Sequence, residues 1–123
     1  MLEKPMAMPE NDAYELTIIV PVYNEEDNMA ALEARLSAYL PTALVKACVL
    51  LVNDGSKDGS LRLIKEICAR NPHFYYISFA KNAGLSAAMK AGIDVAVSEI
   101  VKASFCFVEI RYFPIIKCMM TNW

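Results

Sequence analysis

Three short clusters hold the residues of this chain best suited to chemistry: Pro21-Val22-Tyr23-Asn24-Glu25-Glu26, Asn53-Asp54-Gly55-Ser56 and Lys81-Asn82-Ala83-Gly84. In the first, Tyr23 can stack on a flat ring, and Asn24 can hydrogen-bond a base or cap a helix. In the second, the Asp54 carboxylate can accept from a nucleobase N–H or a ribose hydroxyl. The competing reading is an Asx-turn leading into a helix capped by Ser56 or Asp58. In the third, a cation beside a helix N-terminus suits a diphosphate, because first-turn amides point outward. The competing reading is a solvated lysine in a glycine turn. None of the clusters has the G-x-G-x-x-G or Walker spacing. His73, beside Pro72, has no adjoining acid or nucleophile and reads as structural. The four cysteines, Cys48, Cys68, Cys106 and Cys118, include no C-x-x-C pair and share the chain with one histidine. They read as buried thiols, with no zinc site.

Each cluster follows an apolar run that reads as a buried strand. Leu16–Val22 precedes the first, with Pro21 expected at the strand's end because it cannot donate to a ladder. Asn24 is then expected to cap a helix with Glu25, Glu26 and Asp27 in its first turn. Its buried face is Met29, Leu32, Leu36 and Leu40, and Pro41 ends it. Ala47–Val52 precedes the second cluster, and Leu61, Ile64 and Cys68 mark a helix ending near Asn71-Pro72. Phe74–Phe79 precedes the third, and Leu85, Ala88, Met89, Gly92, Ile93 and Ala96 fall on one helix face. Three strand–turn–helix units imply an α/β fold, a three-layer α/β/α with a mostly parallel sheet. Ligands of such sheets bind beyond the carboxyl ends of the strands, where all three clusters fall.

The bulk properties set bounds. The chain has 123 residues, enough for one domain. It is 56% hydrophobic and 21% charged, which excludes a disordered chain. A net charge of −2 argues against nucleic-acid binding through bulk positive charge. No apolar window is long enough to span a membrane, and the start lacks the apolar core of a signal peptide. A reducing, cytoplasmic address is the default expectation. Residues 1–14 read as a flexible leader and 15–101 as the folded unit. Residues 102–123 carry five aromatics, no Gly and no Asp, and read as an atypical apolar tail. Within it, Ala103–Ile110 is the least supported strand. The tail is expected to pair as an edge strand or to drive self-association.

Taken in order and spacing, the three clusters resemble the N-terminal half of family-two glycosyltransferases over about Glu15–Val101. The segment Asn82-Ala83-Gly84 with Ala87–Ile93 is similar to the branch that glycosylates polyprenyl phosphates, including dolichol-phosphate mannose synthases and bactoprenol glucosyltransferases. The resemblance implies the GT-A fold, Rossmann-like, and transfer of a hexose from a UDP- or GDP-sugar to an acceptor such as a polyprenyl phosphate or a glycan. It implies nucleotide contacts at Pro21, Tyr23, Asn24, Glu25, Asn53, Asp54, Lys81, Asn82 and Gly84. Asn53 stands where many members have Asp, keeping an acceptor and losing the charge. It also implies an enzyme working at the inner face of a membrane without spanning it.

The pattern then breaks. The family holds Mg²⁺ or Mn²⁺ on an Asp-x-Asp motif at the end of a fourth strand, where the ion offsets the charge of the leaving diphosphate. Here that place reads Phe105-Cys106-Phe107-Val108-Glu109-Ile110-Arg111. Glu109 is a lone acid, so no metal ligand is assigned, and no residue is assigned as the catalytic base. The expectation is a glycosyltransferase fragment, catalytically incomplete alone, whose tail arises from a frameshift or a mis-called gene end. The alternative is a non-catalytic nucleotide-binding or interaction module. A phosphoacceptor receiver fits worse, because Glu25 and Glu26 are a poor substitute for its acid cluster.

Overall fold

A computed structural model describes the backbone of residues 14–99, 105–107 and 119–121, and the side chains of residues 14–97. The described elements are β1 (Leu16–Val22), α1 (Met29–Tyr39), β2 (Ala47–Asn53), α2 (Ser60–Arg70), β3 (Phe74–Ser78), α3 (Leu85–Glu99), β4 (Phe105–Phe107) and β5 (Met119–Thr121). They form one sheet in the order β3-β2-β1-β4-β5. β1 to β4 are mutually parallel, and β5 runs antiparallel to β4.

Residue parity along the strands explains the layers. Ile18, Val20 and Val22 of β1, with Val49 and Leu51 of β2, face one side, and Met29, Leu32, Leu36, Ile64 and Ile67 of α1 and α2 cover them. The alternate residues Ile19, Cys48, Leu50, Val52 and Ile77 face the other side and pack on Ala88, Val95 and Ala96 of α3. Both faces are covered, which is why β1 and β2 read as continuous apolar runs rather than alternating ones. Each fully buried aliphatic side chain contributes roughly 1.5–3 kcal/mol.

Pro21 behaves as its chemistry requires. The Val22 carbonyl accepts the Asp54 N–H at 2.8 Å, so Val22 faces β2 and the alternate Pro21 faces the β4 side. Pairing with β4 is described only along Thr17–Ile19, so the missing N–H breaks no described rung there.

Several expectations are corrected. Asn24 does not cap α1. It has φ +52, and a 3₁₀ turn at Glu26–Asn28 intervenes, so the N-cap position falls to Asn28. Glu26 and Asp27 lie in that turn, and α1 has no acid in its first turn. The physical reason is that the Asn24 side chain is drawn to the second loop instead. On α3 the buried ridge is Ala88, Gly92, Val95 and Ala96. Met89 and Ile93 are partly buried flanks, and Leu85 is exposed at the helix start. Gly92 sets that ridge, since a Cβ there would lie 2.5 Å from Ile19 Cγ2 and the helix could not approach the sheet so closely. Tyr14, assigned to the leader, is 3% exposed in the α3-side core. Its hydroxyl meets His73 Nδ1 at 2.7 Å and the Tyr75 hydroxyl at 3.2 Å, which also accounts for His73 as a structural residue. β3 ends at Ser78 rather than Phe79.

The fourth strand exists as Phe105–Phe107, and the tail adds the edge strand β5. Glu109, Arg111, Tyr112, Phe113, Cys118 and Trp123 lie outside the described residues.

Candidate functional site

The three chemistry-bearing loops meet at the carboxyl ends of β1, β2 and β3, and a continuous set of hydrogen bonds joins them. Between the first and second loops, the Asn24 N–H donates to Ser56 Oγ at 3.0 Å, and Asn24 Oδ1 accepts from the Lys57 N–H at 2.8 Å. The Glu25 N–H donates to Ser60 Oγ at 2.8 Å, and the Glu26 N–H to Asp58 Oδ2 at 3.2 Å. Asp58 Oδ1 also accepts from the Ser60 N–H at the start of α2. Burial disfavours the ionised Asp58, but the bonds from Ser60 and Glu26 outweigh it and hold its carboxyl below the ordinary range.

Between the second and third loops the link is Asp54. Its Oδ1 accepts from the Ala83 N–H at 2.7 Å, and its Oδ2 accepts from the Gly84 N–H and from Asn82 Nδ2, both at 3.0 Å. The Asp54 carbonyl accepts from Asn82 Nδ2 as well. Gly55, with φ +65, lies directly beneath this crossing. A Cβ there would fall 2.3 Å from both Asn82 N and Lys81 C, so only glycine lets the third loop seat on the second.

Each loop has one residue in the left-handed region: Asn24, Gly55 and Gly84. The expected site residues therefore divide in two. Tyr23, Asn24, Lys81 and Asn82 are exposed at this end, with Pro21, Glu25 and Gly84 half-buried beside them. Asn53 and Asp54, expected to reach a ligand, are buried at 1% and 4% exposure. Asn53 Nδ2 donates to Ser78 Oγ, and Asn53 Oδ1 accepts from the Ser56 N–H, so its amide ties β2 to β3 and to its own turn. The Asx-turn expected in this loop is made by Asp58, whose Oδ1 accepts from the Ser60 N–H two residues on at 2.9 Å. Sequence reasoning missed Ser60 and Ser78 as partners. Ser56 and Asp58 were read only as local helix caps, yet they bind a loop more than thirty residues away.

A cavity of about 370 Å³ lies at the opposite end of the sheet, lined by residues including Leu40, Lys46, Asn71, His73 and Phe74. It contains none of the three clusters. No group of three or more His, Cys, Asp or Glu suited to a metal occurs among the described residues. No helix among the described residues is long and apolar enough to cross a membrane.

An open, mostly parallel sheet covered on both faces, with its polar loops at the carboxyl ends, defines a Rossmann-like α/β architecture. The sequence model of glycosyl transferase family 2 matches residues 17–102, and the chain belongs to that family. An uncharacterised glycosyltransferase of Synechocystis sp. is 39% identical over 82 residues, covering 67% of this chain and 26% of the relative. The undecaprenyl-phosphate 4-deoxy-4-formamido-L-arabinose transferase of Aeromonas hydrophila is 33% identical over 95 residues, covering 76% and 29%. Among solved structures, a mannosyltransferase from Pyrobaculum calidifontis in complex with GDP-Man and Mn²⁺ superposes with a TM-score of 0.63 at 19% identity, covering 88% of this chain and 31% of that one. S. aureus TarS, residues 1–349, superposes at 0.56. These superpositions establish the GT-A fold. The chain spans 25–29% of the length of the curated relatives it matches.

Proposed function

We propose that residues 15–101 form the donor-binding half of a glycosyltransferase that takes a sugar from a nucleoside diphosphate and passes it to a polyprenyl phosphate. The observation that carries this reading is the convergence of all three loops, hydrogen-bonded to one another, at the carboxyl end of the sheet. Pro21, Tyr23, Asn24 and Glu25 would flank the nucleoside, with Tyr23 offering an exposed ring for stacking. Lys81, Asn82 and Gly84 would meet the diphosphate at the start of α3. Asn53 and Asp54 support these loops from beneath.

The acceptor class rests on the relatives, which include the undecaprenyl-phosphate transferase above and a bactoprenol glucosyl transferase of Shigella phage SfV. A lipid-phosphate acceptor would bring the working protein to the membrane surface. A divalent ion on the diphosphate is part of the proposal, as Mn²⁺ accompanies GDP-Man in the Pyrobaculum enzyme. The residues described here do not supply its ligand cluster.

Isothermal titration of the 123-residue chain with UDP and GDP tests the reading. Binding of one of the two, weakened roughly tenfold in Lys81→Ala, is the expected result. Failure of both to bind overturns it. A radiolabelled sugar-transfer assay with lipid phosphates is expected to show no turnover. Metal-dependent transfer by this chain alone would overturn its assignment to donor binding only.

A further inference from the structure

Asp54 has the chemistry of a ligand contact and the surroundings of a clamp. The residue is 4% exposed, and its carboxylate takes three donors from the third loop: the Ala83 and Gly84 N–H groups and the Asn82 side-chain amide. A carboxylate has roughly four acceptor positions, so little capacity remains for a base or a ribose. The donors it holds are the residues just before α3, which begins at Leu85. The Gly84 carbonyl accepts the Ala88 N–H at 3.1 Å, so the clamp also sets where the helix starts. Lys81 lies two residues before Ala83, and its backbone is pressed onto Gly55.

We propose that Asp54 is a positioning residue: it fixes the Lys81–Gly84 loop, and so the cation and the helix start that receive the donor's diphosphate, without touching the nucleoside itself. The proposal rests on the donor-site reading above and adds how that site is held in shape. It also explains the residue type. Three donors converge on one side chain, and only an acceptor-only group satisfies them all. Asparagine has nearly the same shape but would turn an NH₂ group toward a backbone N–H.

The test is a double-mutant cycle on the full 123-residue chain: native, Asp54→Asn, Lys81→Ala and the double variant. Each is titrated with uridine, UDP, guanosine and GDP. The expected result is that Asp54→Asn lowers affinity for the nucleoside diphosphate roughly tenfold and leaves nucleoside affinity unchanged. Its effect should not add to that of Lys81→Ala, because both act through one loop. Equal losses for nucleoside and nucleoside diphosphate, or full additivity, overturn the proposal in favour of direct base contact. One check needs no variant. The Ala83 and Gly84 amides of the native chain should exchange slowly with solvent, and exchange at the rate of exposed loop amides also overturns it. Failure of the native chain to bind either nucleoside diphosphate removes the donor-site reading, and the proposal with it. Binding by the native chain with additive variants removes only the role given to Asp54.

Discussion

Gly55 excludes a side chain on two counts. Its φ of +65 lies in the left-handed region, and its missing Cβ leaves the space that the Lys81–Asn82 backbone occupies. The neighbour that would have to move is main chain, which cannot rotate aside as a side-chain tip can. Gly55→Ala should therefore cost roughly 1–3 kcal/mol and displace the third loop. Urea denaturation gives the stability change, and amide shifts at Asn82–Gly84 report the displacement. A variant with unchanged stability and shifts would show that the two loops are not in contact here. Gly84 contrasts with it: φ is +99, but no heavy atom lies within 4 Å of where a Cβ would sit, so its constraint is conformational alone.

At the scale of elements, α1 and α2 share one face of the sheet and are joined on their outer sides by a bidentate pair. Arg70 Nε and an Arg70 terminal nitrogen both donate to Glu33 at 2.7 Å, and Asn71 Nδ2 adds a third bond. The Arg70 hydrogen bond is the largest reason that the Glu33 carboxyl lies below its ordinary range, with burial opposing it. A folded-state value below the unfolded one places the stabilisation at high pH. It is complete above the unfolded glutamate value of about 4.3 and is lost as pH falls through the lower folded value. Urea midpoints measured from pH 7 downward should show native stability falling across that interval. Glu33→Gln should flatten part of the fall, and the Asp58 latch, whose carboxyl is also held low, should account for another part. Identical acid profiles for native and Glu33→Gln would show that this pair contributes nothing to the folded state.

For the molecule as a whole, the sheet is the unit that must open before its interior reacts. Cys48 sits in β2 between two parallel neighbours, is fully buried, and has its thiol pushed up to about 12 by burial, with a bond to Thr17 Oγ1 opposing the shift. Thiolate is the reactive form, so Cys48 should stay unmodified by a thiol reagent at pH 8 until the sheet unfolds. Site-resolved mass spectrometry along a urea gradient would follow this. Labelling of Cys48 at a native-state rate faster than global unfolding would show local opening of β2.

How much of this was legible in the sequence depends on how far apart the interacting residues lie. The alternation of strands and helices and the gathering of the three clusters at one end of the sheet follow from patterns within a dozen residues, as do Met29, Leu32 and Leu36 of α1 and Ile64 and Cys68 of α2 as buried positions, whereas Leu40 and Leu61 are only partly buried and the buried Ile67 was not expected. Hydrophobic period, turn chemistry and the parallel-sheet rule are local or general, so one chain read from end to end contains them. What only the tertiary structure decided is where polar side chains point. Asn24 caps no helix because Ser56 and Lys57 lie across from it. Asp54 turns inward because three donors of the third loop converge on it. Each of these outcomes is a competition between a local partner and one some thirty or more residues away. At Asp54 the distant partners win because folding buries the carboxylate and makes its hydrogen bonds costly to leave unmade, and at Asn24 because the sheet holds Ser56 and Lys57 within reach of an exposed side chain.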